Sequence, residues 1–263
     1  MEIIAGTTRG SANSKGSNKN QDSYYLGWNE GVLTGFVSDG CGSAPNSELG
    51  ATVSVIEAVK TSLLLGRSLT ISPNKWLPHL QIAVKKALSK LEELVGDPDP
   101  TIATLLGFVI FEEEYVIISC GDGSYEVNGE WHHLEYANNA PPYLAQGHSL
   151  KLLSWGATQD LKSLTIATDG VDYWREDLDL PGGKVSIPLA NLLADRKIYK
   201  NPAALQRYLN LLNRDLRDDG MLLHGPTLAD DTAIISLRSP DESPGPERHE
   251  LFPGIVLGKR WGG

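Results

Sequence analysis

The sequence predicts an α+β fold, a sandwich of sheets and helices. Three observations carry that expectation. Short apolar runs rich in β-branched and aromatic residues are bounded by turn formers, two longer segments repeat apolar residues at helical spacing, and the helices fall between hairpins instead of alternating regularly with strands. With 263 residues, 41% hydrophobic and 21% charged, the chain can bury a full core in one domain and has the composition of an ordinary globular protein.

The segment as far as Lys19 is polar and rich in glycine and serine, and reads as a loop. "DSYYLGW" and "GVLTGFVS", joined by "NEG", read as the two strands of a hairpin. From Asn46, "NSELGATVSVIEAVKTSLL" places Leu49, Val53, Ile56 and Leu63 at helical spacing, with Asn46 as the cap. "SPNKWLPHLQIAVKKALSKLEELVG" is a second helix, opened by Ser72 and Pro73 and broken by "DPDP". "TIATLLGFVIFEE", "EYVIISC", "SYEVN" and "EWHHLEY" follow as four short strands and read as an antiparallel meander. "SLTIATDG" is a further strand leading into a helix-like "VDYWRED". "NPAALQRYLNLLNRDLRD" is an amphipathic helix capped by Asn201 and Pro202, with Leu205, Leu209, Leu212 and Leu216 inward, and "DTAIISLR" is the last strand. The folded domain is therefore expected to span residues 1–238. Residues 239–263, rich in proline and charge, are expected to form a tail without a packed core, although "IVL" has the character to dock locally.

Composition excludes several functions. A net charge of −10 argues against a nucleic-acid binder, because that affinity rests on Lys and Arg displacing counterions. Runs such as "LLGFVIF" fall well short of the roughly 20 apolar residues of a membrane helix. The N-terminus lacks a basic start, an apolar stretch and a cleavage site, so a cytoplasmic protein is expected. Two cysteines, Cys41 and Cys120, suit a reducing compartment and cannot build a disulfide framework or a four-cysteine zinc site.

Acidic residues stand out at strand ends. Three apolar runs lead into Asp-Gly, at Asp39, Asp122 and Asp169, while Asp22 precedes the first hairpin and Asp230 with Asp231 precedes the last strand. Asp-Gly alone is a common turn. Asp39, however, leads into a loop and a helix, and Asp169 into "VDYWRED"; only Asp122, followed by "SYEV", reads as a plain hairpin. If these strands share one sheet edge, the acids converge. Carboxylates gathered without Lys or Arg partners repel one another unless cations neutralise them, and oxygen-only ligands select hard ions, Mg²⁺ or Mn²⁺. Two such ions can share a bridging water, lower its pKa and clamp an in-line displacement at phosphorus, which predicts phosphoester hydrolysis. The sequence holds no GxSxG, no Cys/Arg phosphate loop and no GxxxxGK[ST].

"GSNKNQDSYYL", "FVSDGCGSAPNSELGA", "TIATLLGFVIFEEEYVIISCGDG", "SLTIATDGVDYW" and "ADDTAIISL", in that order, resemble the bacterial branch of the PP2C family of metal-dependent Ser/Thr protein phosphatases, from about Ala5 to Arg238. "NNAPPYLAQ" is similar to a stretch that bacterial members carry before their later strands. The resemblance implies a four-layer α/β/β/α sandwich, two antiparallel sheets flanked by helices, with a metal cleft at one end. It implies two Mn²⁺ or Mg²⁺ ions: Asp39 would bridge them, the Gly40 carbonyl would bind the first, Asp169 and Asp230 would complete the second, and Asp22 would act through metal-bound water. Asp122 with Asp169 would match a weaker third site. Asp231 would be a neighbour and not a ligand. The substrate implied is a phosphorylated Ser/Thr protein, with a cognate Ser/Thr kinase as the opposing partner, and the chain is expected to act as a monomer.

The sequence departs from the family pattern twice. The arginine that many relatives carry before the Asp22 position is missing from "SANSKGSNKNQD", which leaves Lys15, Lys19 or Arg9 to bind phosphate, or else to sit in a solvated loop. Cys41 in "DGCGS" occupies the place of a histidine proposed to protonate the leaving group; its loss would slow alkyl more than aryl phosphates. His132 and His133, adjacent on a strand, point to opposite faces and form no metal pattern. Two alternative readings remain open: a non-catalytic phosphoprotein-binding domain and a two-metal hydrolase of small phosphoesters.

Overall fold

A tight turn starts the first sheet. In the computed structural model, Glu30 and Gly31 both have positive φ, 47° and 82°, the conformation that joins twisted strands in a two-residue hairpin. The structure describes residues 1–11, 19–66, 73–174, 179–180, 184–185, 188–213, 216–218, 221–224, 228–240 and 257–258. In chain order these form β1 (Glu2–Thr8), β2 (Ser23–Asn29), β3 (Val32–Ser38), α1 (Glu48–Gly66), α2 (Pro73–Val95), β4 (Leu105–Ile110), β5 (Glu114–Cys120), β6 (Gly123–Val127), β7 (Glu130–Leu134), β8 (Lys151–Ala157) and β9 (Ser163–Ala167). There follow β10 (Asp179–Leu180), β11 (Lys184–Val185), α3 (Leu189–Ala194), α4 (Ala204–Leu212), β12 (Leu216–Asp218), β13 (Met221–His224), β14 (Thr232–Arg238) and β15 (Leu257–Gly258).

Two antiparallel sheets result, ordered β1-β14-β9-β6-β7 and β15-β2-β3-β4-β5-β8; β10-β11 and β12-β13 are separate ribbons. Alternation along each strand builds the layers. Leu106, Phe108 and Ile110 of β4 and Ile117 of β5 meet Leu164, Ile166, Ala233 and Ile235 between the sheets. Phe36, Leu105, Val109, Val116 and Ile118 point the other way, onto Val55, Val59, Leu80, Val84 and Leu88 of α1 and α2. Ile4 and Ile234 face α3 and α4 through Leu192, Leu205 and Leu209. The order of layers is therefore helix, sheet, sheet, helix. Each large side chain fully buried here contributes roughly 1.5–3 kcal/mol relative to exposure.

Helix α1 is long and apolar enough to cross a membrane by length and composition. Its buried face, Ala51, Val55, Ala58 and Val59, packs in this protein's own core.

Several local expectations need correction. Residues 2–8 are not loop but β1, paired along its length with β14. Asn46 does not cap α1: its φ of 60° turns the chain into the helix, its Oδ1 accepts from Lys19 Nζ, and the Ser47 carbonyl accepts the helical bond from Ala51 N. The helix from Ala204 ends at Leu212, and Leu216 belongs to β12. Beyond a 3₁₀ turn at Asp169–Tyr173, the end of "VDYWRED" lies outside the described residues, as does Ser72. Most of the segment 239–263 is likewise outside them; β15 within it pairs with β2, Leu257 opposite Leu26.

The four strands from β4 to β7 are not one meander. β4 and β5 pair in one sheet and β6 and β7 in the other, so the chain changes sheets at Gly121-Asp122-Gly123. Both glycines take positive φ, 119° and 120°, where L-residues are strained. A Cβ at Gly121 would also lie 2.5 Å from Thr104 Cβ. The run "SCGDGSY" thus encodes a crossover, and its Asp-Gly is no hairpin turn.

Candidate active site

The crossover decides where the acids meet. Asp39 follows β3 and Asp22 precedes β2 in one sheet; Asp169 follows β9 and Asp230 precedes β14 in the other; Asp122 lies on the link between them. The expectation of one shared sheet edge is replaced by matching ends of two stacked sheets. Register does the alignment: Ser23 opposite Ser38 brings Asp22 beside Asp39, and Ala167 opposite Ile234 brings Asp169 toward the residues before β14. A Cβ on Gly170 would lie 1.9 Å from the Asp231 carbonyl oxygen, so only glycine permits this approach.

Asp39, Gly40, Asp122, Asp169 and Asp230 line one cleft of about 260 Å³. Asp22 lies beneath it, fully buried, in side-chain hydrogen-bond contact with Asp39 and accepting from Thr168 Oγ1 at 2.6 Å. Thr168 in turn accepts from Ala233 N at 2.9 Å, which ties Asp22 to β14. The Asp39 backbone is pinned to Thr104: its N–H donates to Thr104 Oγ1 at 3.0 Å and its carbonyl accepts from Thr104 N at 2.8 Å. Gly40 bridges Ala103, and the Cys41 carbonyl accepts from Ser47 Oγ at 3.0 Å.

Electrostatics sets the character of this cleft. Burial pushes Asp39 well above the usual carboxylate range, and the charges of Asp22, Asp169 and Asp230 add to the shift. Burial likewise raises Asp22, reinforced by Asp231 and opposed by the bonds from Asp39 and Thr168. Asp169 is pushed up to about 7, first by burial and then by Asp122, Asp230 and Asp172; Asp122 rises to about 6, by burial and then Asp172 and Asp230. Such mutual repulsion is what bound cations relieve. Asp122 Oδ1 is buried with no hydrogen-bond partner among the described residues, an acceptor suited to a hard ion. The donor set therefore fits Mg²⁺ or Mn²⁺, although among the described residues no three acid, imidazole or thiol groups already converge on one point.

Of the three candidate phosphate ligands, the two that lie among the described residues do not line the cleft. Lys19 Nζ sits 2.5 Å from Glu48 Oε1 and 3.2 Å from Asn46 Oδ1, at the start of α1. Arg9 is exposed, and neither residue is among those lining the cleft; Lys15 lies outside the described residues. His132 and His133 do diverge: His132 stacks on Tyr125, while His133 Nδ1 lies 3.2 Å from Asp172 Oδ1.

The supports of the site, Thr104 and Thr168, carry no signal in the sequence, because a hydroxyl has no characteristic spacing; nor do Gln21, whose Nε2 donates to Ser47 Oγ at 2.6 Å, and Tyr143, which lines the cleft. The sequence also left Asp231 without a task. Asp231 is 2% exposed and accepts from Gly10 N at 2.6 Å and Gln21 N at 2.5 Å, so its carboxylate ties Gly10 to Gln21. Two charge-assisted bonds of about 1.5–3 kcal/mol each act against its repulsion of Asp22. Asp231→Ala is expected to lower Tm by roughly 5 °C or more, with Asp231→Asn keeping part of the stability. A thermal melt showing Asp231→Ala as stable as wild type would mean that the repulsion dominates.

Comparison with known proteins adds family and fold. A family model described as "Protein phosphatase 2C" matches residues 9–213. A bacterial serine phosphatase shares the architecture with a TM-score of 0.61 and 15% identity, covering 92% of this chain and 100% of its own. The serine/threonine phosphatase Stp1 of Staphylococcus aureus gives 0.58 and 13%, covering 92% and 96%. The S. agalactiae serine/threonine phosphatase gives 0.59 and 15%, covering 90% and 99%. At these identities the likeness is one of fold. No curated protein matches the chain by sequence.

Proposed function

Because the chain belongs to the protein phosphatase 2C family, we propose that it is a Mn²⁺- or Mg²⁺-dependent phosphatase hydrolysing phosphoserine and phosphothreonine on proteins, opposing a Ser/Thr kinase. The observation that carries this reading is the gathering of Asp22, Asp39, Asp122, Asp169 and Asp230 at one end of two sheets, with their carboxyls pushed up by burial and by one another.

Asp39, Asp169 and Asp230 with the Gly40 carbonyl would hold two ions, Asp22 would support them from below, and Asp122 with Asp169 would offer a weaker third position. When bound, such ions supply Lewis acidity and water acidified toward neutrality. The chain itself supplies position. Thr168 and Thr104 fix the orientation of Asp22 and the backbone of Asp39, so that little reorganisation is left to the reaction. Among the described residues, the titratable groups lining the cleft are its carboxylates, the Tyr143 phenol and the thiol of Cys41. Burial raises the thiol's pKa, but hydrogen bonds with Ser43, Tyr143 and Ala44 outweigh it and leave the net shift downward.

One observation favours the small-phosphoester alternative: Lys19 is engaged by Glu48 and Asn46 and does not line the cleft. A single assay separates the readings. Hydrolysis of p-nitrophenyl phosphate and of a phosphothreonine peptide is measured with Mn²⁺, Mg²⁺ and EDTA, for wild type and Asp169→Asn. Metal-dependent release from both substrates, lost in the variant, is expected; release from p-nitrophenyl phosphate alone would favour the small-phosphoester reading, and release from neither, despite Mn²⁺ binding, would overturn catalysis.

A further inference from the structure

A second depression of about 790 Å³ runs on from the catalytic cleft and shares Cys41, Ser43, Asn139, Pro141 and Tyr143 with it. Its chemistry differs. Where the cleft is lined by carboxylates, the trough sets rings and apolar side chains, Tyr136, Pro142, Ala44 and Ile102, among polar ones, Gln146 and His148, with one carboxylate, Asp99, and one ammonium, Lys151. We propose that this trough binds the polypeptide flanking the phosphorylated residue and selects substrates with an apolar or aromatic side chain close to the phosphoresidue. The inference rests on the phosphatase reading above and names the substrate feature that the same site recognises.

Size is the first argument. A small phosphoester fits the 260 Å³ cleft and leaves the trough unused, whereas a phosphoprotein must lead its chain out of the cleft across a neighbouring surface. The trough is a concavity continuous with that exit. Charge is the second: with only Asp99 and Lys151 of opposite sign on its lining, the trough itself offers no run of charge to a polybasic or polyacidic flank, while its rings and prolines reward apolar contact.

Rigidity is the third argument. Tyrosine and proline walls lose little conformational entropy on binding. The segment that carries them is also tied down from below. Cys120 Sγ donates to the Pro142 carbonyl at 3.5 Å, Lys85 Nζ to the Gly147 carbonyl at 3.1 Å, and Leu150 N to Gln81 Oε1 at 2.9 Å. Leu144, 2% exposed, plugs into the core beneath α2. The wall is thus already formed before substrate arrives.

The test uses substitutions away from the carboxylates. Ala140 is exposed on the trough wall, so Ala140→Trp fills the space without disturbing a core; Tyr136→Ala removes a wall. Two fluorescein-labelled phosphothreonine peptides are compared, one flanked on both sides by leucine and one by serine. Wild type is expected to prefer the leucine peptide about tenfold in kcat/KM, a discrimination typical of one apolar pocket. Ala140→Trp and Tyr136→Ala should abolish that preference while leaving p-nitrophenyl phosphate hydrolysis within about twofold of wild type. Equal treatment of both peptides by wild type, or a parallel loss on p-nitrophenyl phosphate, would overturn the trough. Anisotropy with the same peptides decides the point should no hydrolysis occur: leucine-peptide binding weakened by Ala140→Trp supports the proposal, and unchanged binding rejects it. Absence of hydrolysis on every substrate would instead reject the phosphatase reading.

Discussion

Asp39→Asn and Asp169→Asn are expected to lower metal-dependent hydrolysis of both p-nitrophenyl phosphate and phosphothreonine peptide by about 10²–10³-fold, in the range seen when one preorganised electrostatic group is removed. Asparagine keeps the shape of the side chain and removes its charge, so the effect isolates electrostatics from packing. The same substitutions should act in the opposite direction on metal-free stability. Asp169 carries a pKa pushed up to about 7 by burial, Asp122, Asp230 and Asp172, which means that its charge is unwelcome at neutral pH when no cation neutralises it. A neutral amide relieves that repulsion, and the EDTA-treated variant should melt above EDTA-treated wild type at pH 8. Loss of activity together with loss of stability would instead point to a packing role for Asp169.

The second large effect is a pH dependence that metal suppresses. A carboxyl whose folded pKa lies above its unfolded value holds a proton that the unfolded chain has already released. Between the unfolded value near 4 and the folded value, the native state binds more protons, so stability falls as pH rises. Asp122, at about 6, and Asp169, at about 7, place this window between roughly pH 4 and pH 7; Asp22 and Asp39 shift in the same direction. Metal-free protein should therefore melt roughly 5–10 °C lower at pH 8 than at pH 5.5. Saturating Mn²⁺ or Mg²⁺ binds only the folded, deprotonated site and should remove most of that difference. Melts in EDTA and in Mn²⁺ across this range decide the matter. A flat metal-free profile, or a metal-independent one, would mean that the cluster neither stores repulsion nor binds cations.

Much of this was legible residue by residue. Strand and helix identity followed from period-2 and period-3.6 patterns because each element buries one face: Phe36 against the helices and Val37 against the opposite sheet are adjacent in sequence and lie in different cores. The acids were legible because Asp-Gly after an apolar run is unusual when no strand follows. The first strand was missed because its alternation in "EIIAGTT" is weak and its partner, β14, lies more than two hundred residues away. The amphipathic run after Asn201 was read one turn too long, since Leu216 keeps helical spacing while pairing in a ribbon.

Composition and local pattern, then, determined a layered α+β domain, its helical faces, and a set of carboxylates at strand ends suited to hard cations. What only the tertiary structure decided was which sheet each strand joined. The turn at Asp122 looks like a hairpin locally, and the choice between pairing with β5 and crossing to β9 depends on contacts remote in sequence, such as Gly121 against Thr104 and Gly123 against the Ala167 carbonyl. Because that crossover stacks the ends of two sheets, five acids from distant segments share one buried volume. Burial and mutual repulsion, which no spacing in the sequence reports, then give them their chemistry.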